Sequence, residues 1–213
     1  MATPLPSFTT EVLDRMVLAV EQVKDRLLRS TAALEADGVP YAVIGGNAVG
    51  AWVAKVDIRA VRNTVDVDLL LRESDLDAAT VALAKAGFMR RHVAGIDCFL
   101  DGRRGKFRDA VHIIFAGKKV REEYVLPAPD VEEAVPGDEY RVLSLEALVR
   151  MKLTSFRPKD QAHLIDMVSL RMIDANWCDR YPEFLAQRLK LMIEDPSVEF
   201  LDDHDLDDMG AEP

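Results

Sequence analysis

Two aspartates separated by one residue are the strongest candidates for chemistry in this sequence. Asp66 and Asp68 stand in NTVDVDLLL, where polar and apolar residues alternate. Alternate side chains of a β-strand share one face, so the two carboxylates would lie about 6–7 Å apart. Two oxygen ligands at that spacing suit Mg²⁺ (or Mn²⁺), whereas the alternative is a strand whose acidic residues simply face water.

A double glycine precedes the aspartates, at the end of another apolar run. Gly45 and Gly46 follow YAVI and precede NAVGAWVAKV, which predicts a strand, a tight turn and a helix. Because glycine has no Cβ, a phosphate can approach the backbone N–H groups at such a helix start. Neither a Walker loop nor GxGxxG is present, so the glycines alone do not separate a phosphate site from a plain turn.

Together, the double glycine, the helix and RNTVDVD resemble the nucleotidyltransferases of the DNA polymerase β superfamily. The resemblance is strongest to the minimal and AbiEii-like toxin branch, whose pattern is Gly-Gly, a helix, then Arg-x-Thr-x-Asp-x-Asp. The wider order of strands and helices agrees to about residue 115. The matching residues are Gly45, Gly46, Arg62, Thr64, Asp66 and Asp68.

A second match lies in MKLTSFRPKDQAHLIDMV, where those relatives carry basic and acidic residues on C-terminal helices. The matching residues are Lys152, Arg157, Lys159, Asp160 and Asp166. The resemblance implies that Lys152 and Asp160 belong to the active site and that Lys152 contacts nucleotide phosphates. A helix with ordinary surface charges is the alternative.

The third metal-binding carboxylate of these transferases is missing from its expected place. The candidate strand is RDAVHIIFAG, and the expected position holds His112. Asp109 lies three residues earlier and would face the other side of a regular strand. Three interpretations stay open: His112 acts as base or ligand, Asp109 reaches the site from a bulge, or the second metal is lost and transfer is slow or absent.

The implied reaction transfers a nucleoside monophosphate from a nucleoside triphosphate to a hydroxyl group. The candidate acceptors are a small molecule, a tRNA end or a protein side chain. The resemblance implies nucleotide binding by Gly45, Gly46, Asn47, Arg62, Thr64, Lys152 and Asp160, catalysis by Asp66, Asp68, His112 and Lys152, and metal binding by Asp66 and Asp68. A catalytically degenerate nucleotide-binding or regulatory protein is the alternative, as is a partner-binding module of a toxin–antitoxin pair.

Hydropathy predicts the elements that must position these residues. Helical spacing predicts a helix over about 10–36, and Ser74 and Gly87 would begin and end another. A three-stranded meander follows, then an irregular segment over 118–143. The C-terminal part reads as helices beginning at Ser144 and near Asp160. This pattern predicts an α+β fold in which a mixed β-sheet is flanked by helices and followed by a C-terminal helical region.

Composition predicts a cytoplasmic protein without a membrane span. The two cysteines among 213 residues are far apart, which argues against a disulfide framework. The net charge of −10 is concentrated at the C-terminus, where nine acidic and no basic residues follow from position 194. We therefore expect a nucleotidyltransferase core over 1–117, a crossover segment with helices over 118–194, and an acidic, flexible tail over 195–213. The tail would aid solubility or dock a partner protein.

Overall fold

One mixed sheet carries the candidate residues. The computed structural model describes residues 9–93 and 95–194, and within them the strands are β1 (Ala42–Ile44), β2 (Val67–Leu71), β3 (Phe88–Val93), β4 (Ile96–Asp101), β5 (Val111–Phe115), β6 (Ala134–Pro136) and β7 (Arg141–Leu143). Their order across the sheet is β3-β4-β5-β2-β1-β7-β6. Strand β2 is antiparallel to β1 and parallel to β5, while β1 is parallel to β7.

Six α-helices lie in the described part of the chain. They are α1 (Thr10–Ala36), α2 (Gly45–Ala54), α3 (Leu76–Lys85), α4 (Leu145–Ser155), α5 (Pro158–Ser169) and α6 (Glu183–Glu194). Helices α1 and α3 pack together, and so do α4, α5 and α6. The predicted α+β class, with a mixed sheet, flanking helices and a C-terminal helical region, is confirmed. Within the described residues, no helix combines the length and the apolar character that a membrane span requires.

The turn between α4 and α5 is built by local chemistry. The Ser144 hydroxyl accepts a hydrogen bond from the backbone N–H of Ala147, which confirms the predicted start of α4. Phe156 adopts a left-handed conformation and ends that helix. Pro158 occupies the first position of α5, where its missing N–H costs no helical hydrogen bond. This turn sets the two helices side by side.

The central strand β2 is covered on both faces. Val67, Leu69, Leu70 and Leu71 are fully buried, whereas Asp68 is only half-buried. Leu70 shares a face with Asp68, so that face is not an ordinary solvent-exposed side. A carboxylate on such a strand needs compensation from a cation, hydrogen bonds or water. The burial of β2 therefore favours a functional site over the simple wet strand.

Four local predictions are wrong. Helix α3 begins at Leu76, and Ser74 lies in a preceding 3-10 turn instead of capping the helix. Helix α5 begins at Pro158, so Asp160 lies inside it. The segment over 118–143 contains β6 and β7, which are too short to produce a readable alternation and which extend the sheet beside β1. Asp66 precedes β2 instead of belonging to it. The segment limits at 117 and 194 stay predictions, and the acidic tail lies outside the described residues.

Candidate active site

Two carboxylates and one imidazole meet where β2 and β5 pair. The parallel register sets Asp68 opposite His112, and Asp66 stands just before β2. One ligand atom of each residue lies within 4.8 Å of the others, and all three side chains are half-buried. Oxygen and imidazole nitrogen donors at this separation fit a divalent cation. We call these three residues the acidic triad.

His112 occupies the third position of the acidic triad, and Asp109 does not. Asp109 lies in a 3-10 turn over Phe107–Asp109 and lines a different cavity, together with Arg26 and Asp101. The structure therefore brings His112, and not Asp109, to the two aspartates.

The orientation of His112 is set by the backbone. Its Nε2 lies 2.9 Å from the carbonyl oxygen of Phe107, which can only accept, so Nε2 carries a proton. Nδ1 then faces Asp68, 3.7 Å from Oδ1. The nearby Asp68 carboxylate raises the pKa of His112 and outweighs the opposing effect of burial. Without a cation the ring can pair with Asp68 as imidazolium, whereas the neutral ring offers an Nδ1 lone pair to a metal.

Asp66 is held by two side chains of the predicted nucleotide site. The Asn47 amide donates to the backbone carbonyl of Asp66 at 2.8 Å, and the Thr64 hydroxyl donates to Oδ1 at 2.6 Å. Burial opposes ionisation of Asp66, but the Thr64 hydrogen bond and the charge of Lys159 lower its pKa nonetheless. Asn47 and Thr64 thus position a carboxylate, whatever they contribute to nucleotide binding.

The double glycine is required by its close contacts with Asp68 and Thr64. Gly45 has a φ of +66°, and a Cβ there would lie 2.1 Å from Oδ2 of Asp68. A Cβ on Gly46 would lie 2.9 Å from the hydroxyl oxygen of Thr64. The first turn of α2 can therefore approach β2 only without side chains at these two positions. This close packing explains the two glycines structurally, in addition to the predicted contact with phosphate.

We expect Gly45→Ala to lower stability and metal binding by more than the strain of a left-handed alanine alone would cause. Gly38 has a φ of +68° but open space around it, so Gly38→Ala is the matched control. Both variants carry the cost of a left-handed alanine, about 1 kcal/mol, and only Gly45→Ala must also displace Asp68. Urea unfolding and Mn²⁺ titration should show an additional loss of about 1–3 kcal/mol and weaker metal binding. Equal losses in the two variants would mean that Asp68 does not lie against this glycine.

A buried ion pair forms the opposite wall of the site. Lys152 on α4 is 5% exposed and Asp160 on α5 is fully buried, and Nζ lies 2.7 Å from Oδ1. Oδ2 of Asp160 accepts from the Ser155 hydroxyl at 2.8 Å and from Nε of Arg157 at 2.7 Å. Burial opposes ionisation of Asp160, yet the charge of Lys152 and the Arg157 hydrogen bond lower its pKa to about 2. The Asp160 carboxylate is therefore ionised at neutral pH.

A cavity of about 140 Å³ separates the ion pair from the sheet. It brings together Gly45, Asp68, Lys152 and Asp160, which the sequence had assigned to one site. We call it the central cavity. Its charged lining comprises Asp68, Asp160, Arg121, Lys152, Arg157 and Lys159, and its apolar side chains include Ile114, Val120, Leu126, Pro127, Leu148 and Met151. Four basic against two acidic groups favour an anionic ligand, and the apolar part suits a flat organic group.

Arg62 lies apart from the central cavity. Its guanidinium pairs with the Asp166 carboxylate on α5, with Nη2 to Oδ1 at 2.9 Å. It lines a separate groove with Gly46, Asn47 and Thr64. Arg62 therefore connects the loop before β2 to the C-terminal helices and braces that loop.

Four polar side chains of the central cavity were not among the residues matched in the sequence. Tyr124 and Arg121 come from the segment predicted to be irregular, and Thr154 and Ser155 lie at the end of α4. Thr154 and Ser155 stand inside the matched C-terminal stretch but gave no signal of their own. The aromatic and basic residues in REEYVLP were the only hint of a ligand contact outside the motifs.

Comparisons with known proteins give structural similarity only. No protein-family model matches the sequence, and no curated protein matches it significantly. An antigenic nucleotidyltransferase-like protein from Paracoccidioides brasiliensis is 21% identical, with 80% of this chain and 93% of that chain covered and a TM-score of 0.46. JHP933 from Helicobacter pylori is 12% identical over 96% of this chain and 100% of its own, with a TM-score of 0.46.

A third structure is the antibiotic-resistance factor ANT(2'')-Ia in solution. It is 14% identical, with 92% of this chain and 97% of that chain covered and a TM-score of 0.43. The AbiEii-like branch is not confirmed. Because the sequence identities and TM-scores are low, the activity has to be inferred from the residues of the site. The chain is thus similar in structure to proteins described as nucleotidyltransferases.

Proposed function

We propose that the protein is a divalent-metal-dependent nucleotidyltransferase that moves a nucleoside monophosphate from a nucleoside triphosphate to a hydroxyl group. The observation that carries this proposal is the acidic triad beside a cavity with a basic opposite wall. A metal–triphosphate complex needs both features, because its cation requires carboxylates and its remaining phosphate charge requires lysine or arginine.

The chain's own residues can be given roles in this reaction. The acceptor oxygen bonds to the α-phosphorus, the bond from that phosphorus to the bridging oxygen breaks, and pyrophosphate leaves with the electron pair. Mg²⁺ (or Mn²⁺), held by Asp66 and Asp68 with His112, would supply charge neutralisation at the phosphates. Lys152 and Lys159 offset the negative charge that develops on the departing pyrophosphate.

The fate of the acceptor proton depends on what His112 does. If Nδ1 is a metal ligand, solvent or the departing phosphate must take the proton. If no ligand is needed there, Nδ1 can take it directly, because its partner nitrogen is already engaged by Phe107.

A label-transfer assay tests the proposal. The protein is incubated with each α-labelled nucleoside triphosphate and Mg²⁺ or Mn²⁺, alone and with bulk tRNA, cell-lysate protein or small-molecule extract. We expect label to move to one acceptor class in a metal-dependent manner. Omission of the metal, or addition of EDTA, is the control within each reaction.

A nucleotide-binding or regulatory protein is the second candidate, and the observation that favours it is the histidine in the third position. Metal-dependent binding of a triphosphate without transfer to any acceptor would support it and overturn the enzyme. If the protein neither binds a triphosphate nor transfers a nucleotide, its function does not involve a nucleotide. The acceptor class, a toxin–antitoxin role and a cytoplasmic location stay predictions.

A further inference from the structure

Tyr124 is a buried phenol without a hydrogen-bond partner in the part of the chain that the structure describes. Its side chain is 8% exposed and lines the central cavity. Most of the side chain is buried, but the hydroxyl oxygen itself is not sealed off, so it is open to molecules that enter from the cavity side. A ligand in the cavity can therefore replace water as the partner of this hydroxyl.

The groups around Tyr124 determine what kind of atom can bond to it. Burial raises its pKa, while the charges of Arg157 and Arg121 act in the opposite direction and that of Asp160 acts with burial. The carboxylate of Asp160 cannot serve a ligand, since it is fully buried and occupied by Lys152, Ser155 and Arg157. Arginine side chains only donate. The ligand atom that best fits beside the Tyr124 hydroxyl is therefore a negatively charged hydrogen-bond acceptor.

Arg157 connects Tyr124 to the reacting centre. Its guanidinium lines the central cavity and is fixed there by the hydrogen bond from Nε to Asp160. Both Asp68 and Tyr124 line the same cavity. A triphosphate that lies with its α-phosphate at the acidic triad can extend its other phosphates past Arg157 towards Tyr124.

We infer that the Tyr124 hydroxyl donates a hydrogen bond to the β- or γ-phosphate of the bound nucleoside triphosphate, and hence to the pyrophosphate that leaves. This inference rests on the proposed function and adds a leaving-group contact to it. The phenol keeps its proton throughout. It binds the oxygens on which charge accumulates as the bond to the α-phosphorus breaks.

Tyr124→Phe tests the inference, because it removes the hydroxyl and keeps the ring. Tyr181→Phe is the control, since Tyr181 is equally buried but packs among the C-terminal helices, where its hydroxyl donates to the backbone carbonyl of Glu146. Calorimetry in Mg²⁺ measures binding of all four triphosphates, the corresponding monophosphates and inorganic pyrophosphate. We expect Tyr124→Phe to weaken binding of triphosphates and pyrophosphate about tenfold, as for a hydrogen bond to a charged group, and to leave monophosphate binding unchanged.

The outcomes separate this inference from the proposed function. Loss of affinity for one base only, or equal loss for monophosphates and triphosphates, would mean that the hydroxyl faces the nucleoside and would overturn the inference. Unchanged binding in the variant, with transfer intact in the wild type, would overturn the inference alone. If pyrophosphate binding depends on Tyr124 but no nucleotide is transferred, the inference holds and the proposed transferase activity is wrong. If the wild type binds neither triphosphate nor pyrophosphate, both fail.

Discussion

Exchange of Asp66 or Asp68 for asparagine is expected to lower the rate of nucleotidyl transfer by about a thousandfold. Each change removes an anionic ligand while keeping the shape of the side chain, and a loss of about 4 kcal/mol corresponds to that factor. Asp66→Asn can still accept the Thr64 hydrogen bond, so the loop before β2 should keep its structure. Single-turnover label transfer at saturating metal measures the effect, and Mn²⁺ titration measures the accompanying loss of metal affinity.

Asp109→Asn is the control for the aspartate variants. It removes the same charge from the turn just before β5, but its side chain lines another cavity. We expect its transfer rate to stay within about twofold of the wild type. A loss in Asp109→Asn as large as that in Asp68→Asn would show that Asp109 supplies the third carboxylate in solution. Wild-type rates in the Asp66 and Asp68 variants would exclude the acidic triad as the catalytic centre.

Replacement of Lys152 by methionine is expected to lower the free energy of unfolding by about 3 kcal/mol. The variant leaves the Asp160 carboxylate fully buried with fewer partners, because Ser155 and Arg157 alone must then stabilise it. Urea unfolding at pH 7 measures the change. Lys159→Met is the matched control, because Lys159 is an exposed lysine on the neighbouring helix and forms no buried pair.

The double variant Lys152→Met/Asp160→Leu separates lost pairing from lost packing. Removing both charges eliminates the uncompensated carboxylate, so its stability should exceed that of Lys152→Met. A double variant no more stable than the single one would show that Lys152 acts through packing of its side chain. Transfer activity should stay low in both variants, because the basic wall of the central cavity has lost its buried lysine.

Local patterns in the sequence sufficed for the elements whose signal extends over many residues. The long apolar periodicity of α1 corresponds to the observed helix, and the apolar end of NTVDVDLLL corresponds to the observed strand, which starts only at Val67. Short elements carried no such signal: β6 and β7 have three residues each, and the pairing of β7 with β1 joins segments that are distant in sequence. The starts of α3 and α5 were misplaced because serine and aspartate occur both at helix caps and elsewhere.

By itself, the sequence determined that Asp66 and Asp68 are close neighbours, because one residue separates them, and that glycines stand where an apolar run ends and α2 begins. The tertiary structure alone decided that His112 joins the two aspartates, because this requires the parallel register of β2 with β5. It also decided that Lys152 pairs with Asp160 instead of standing free, and that Tyr124 lies over the same cavity. Contacts between separate elements depend on packing geometry, which the spacing of residues along the chain does not contain.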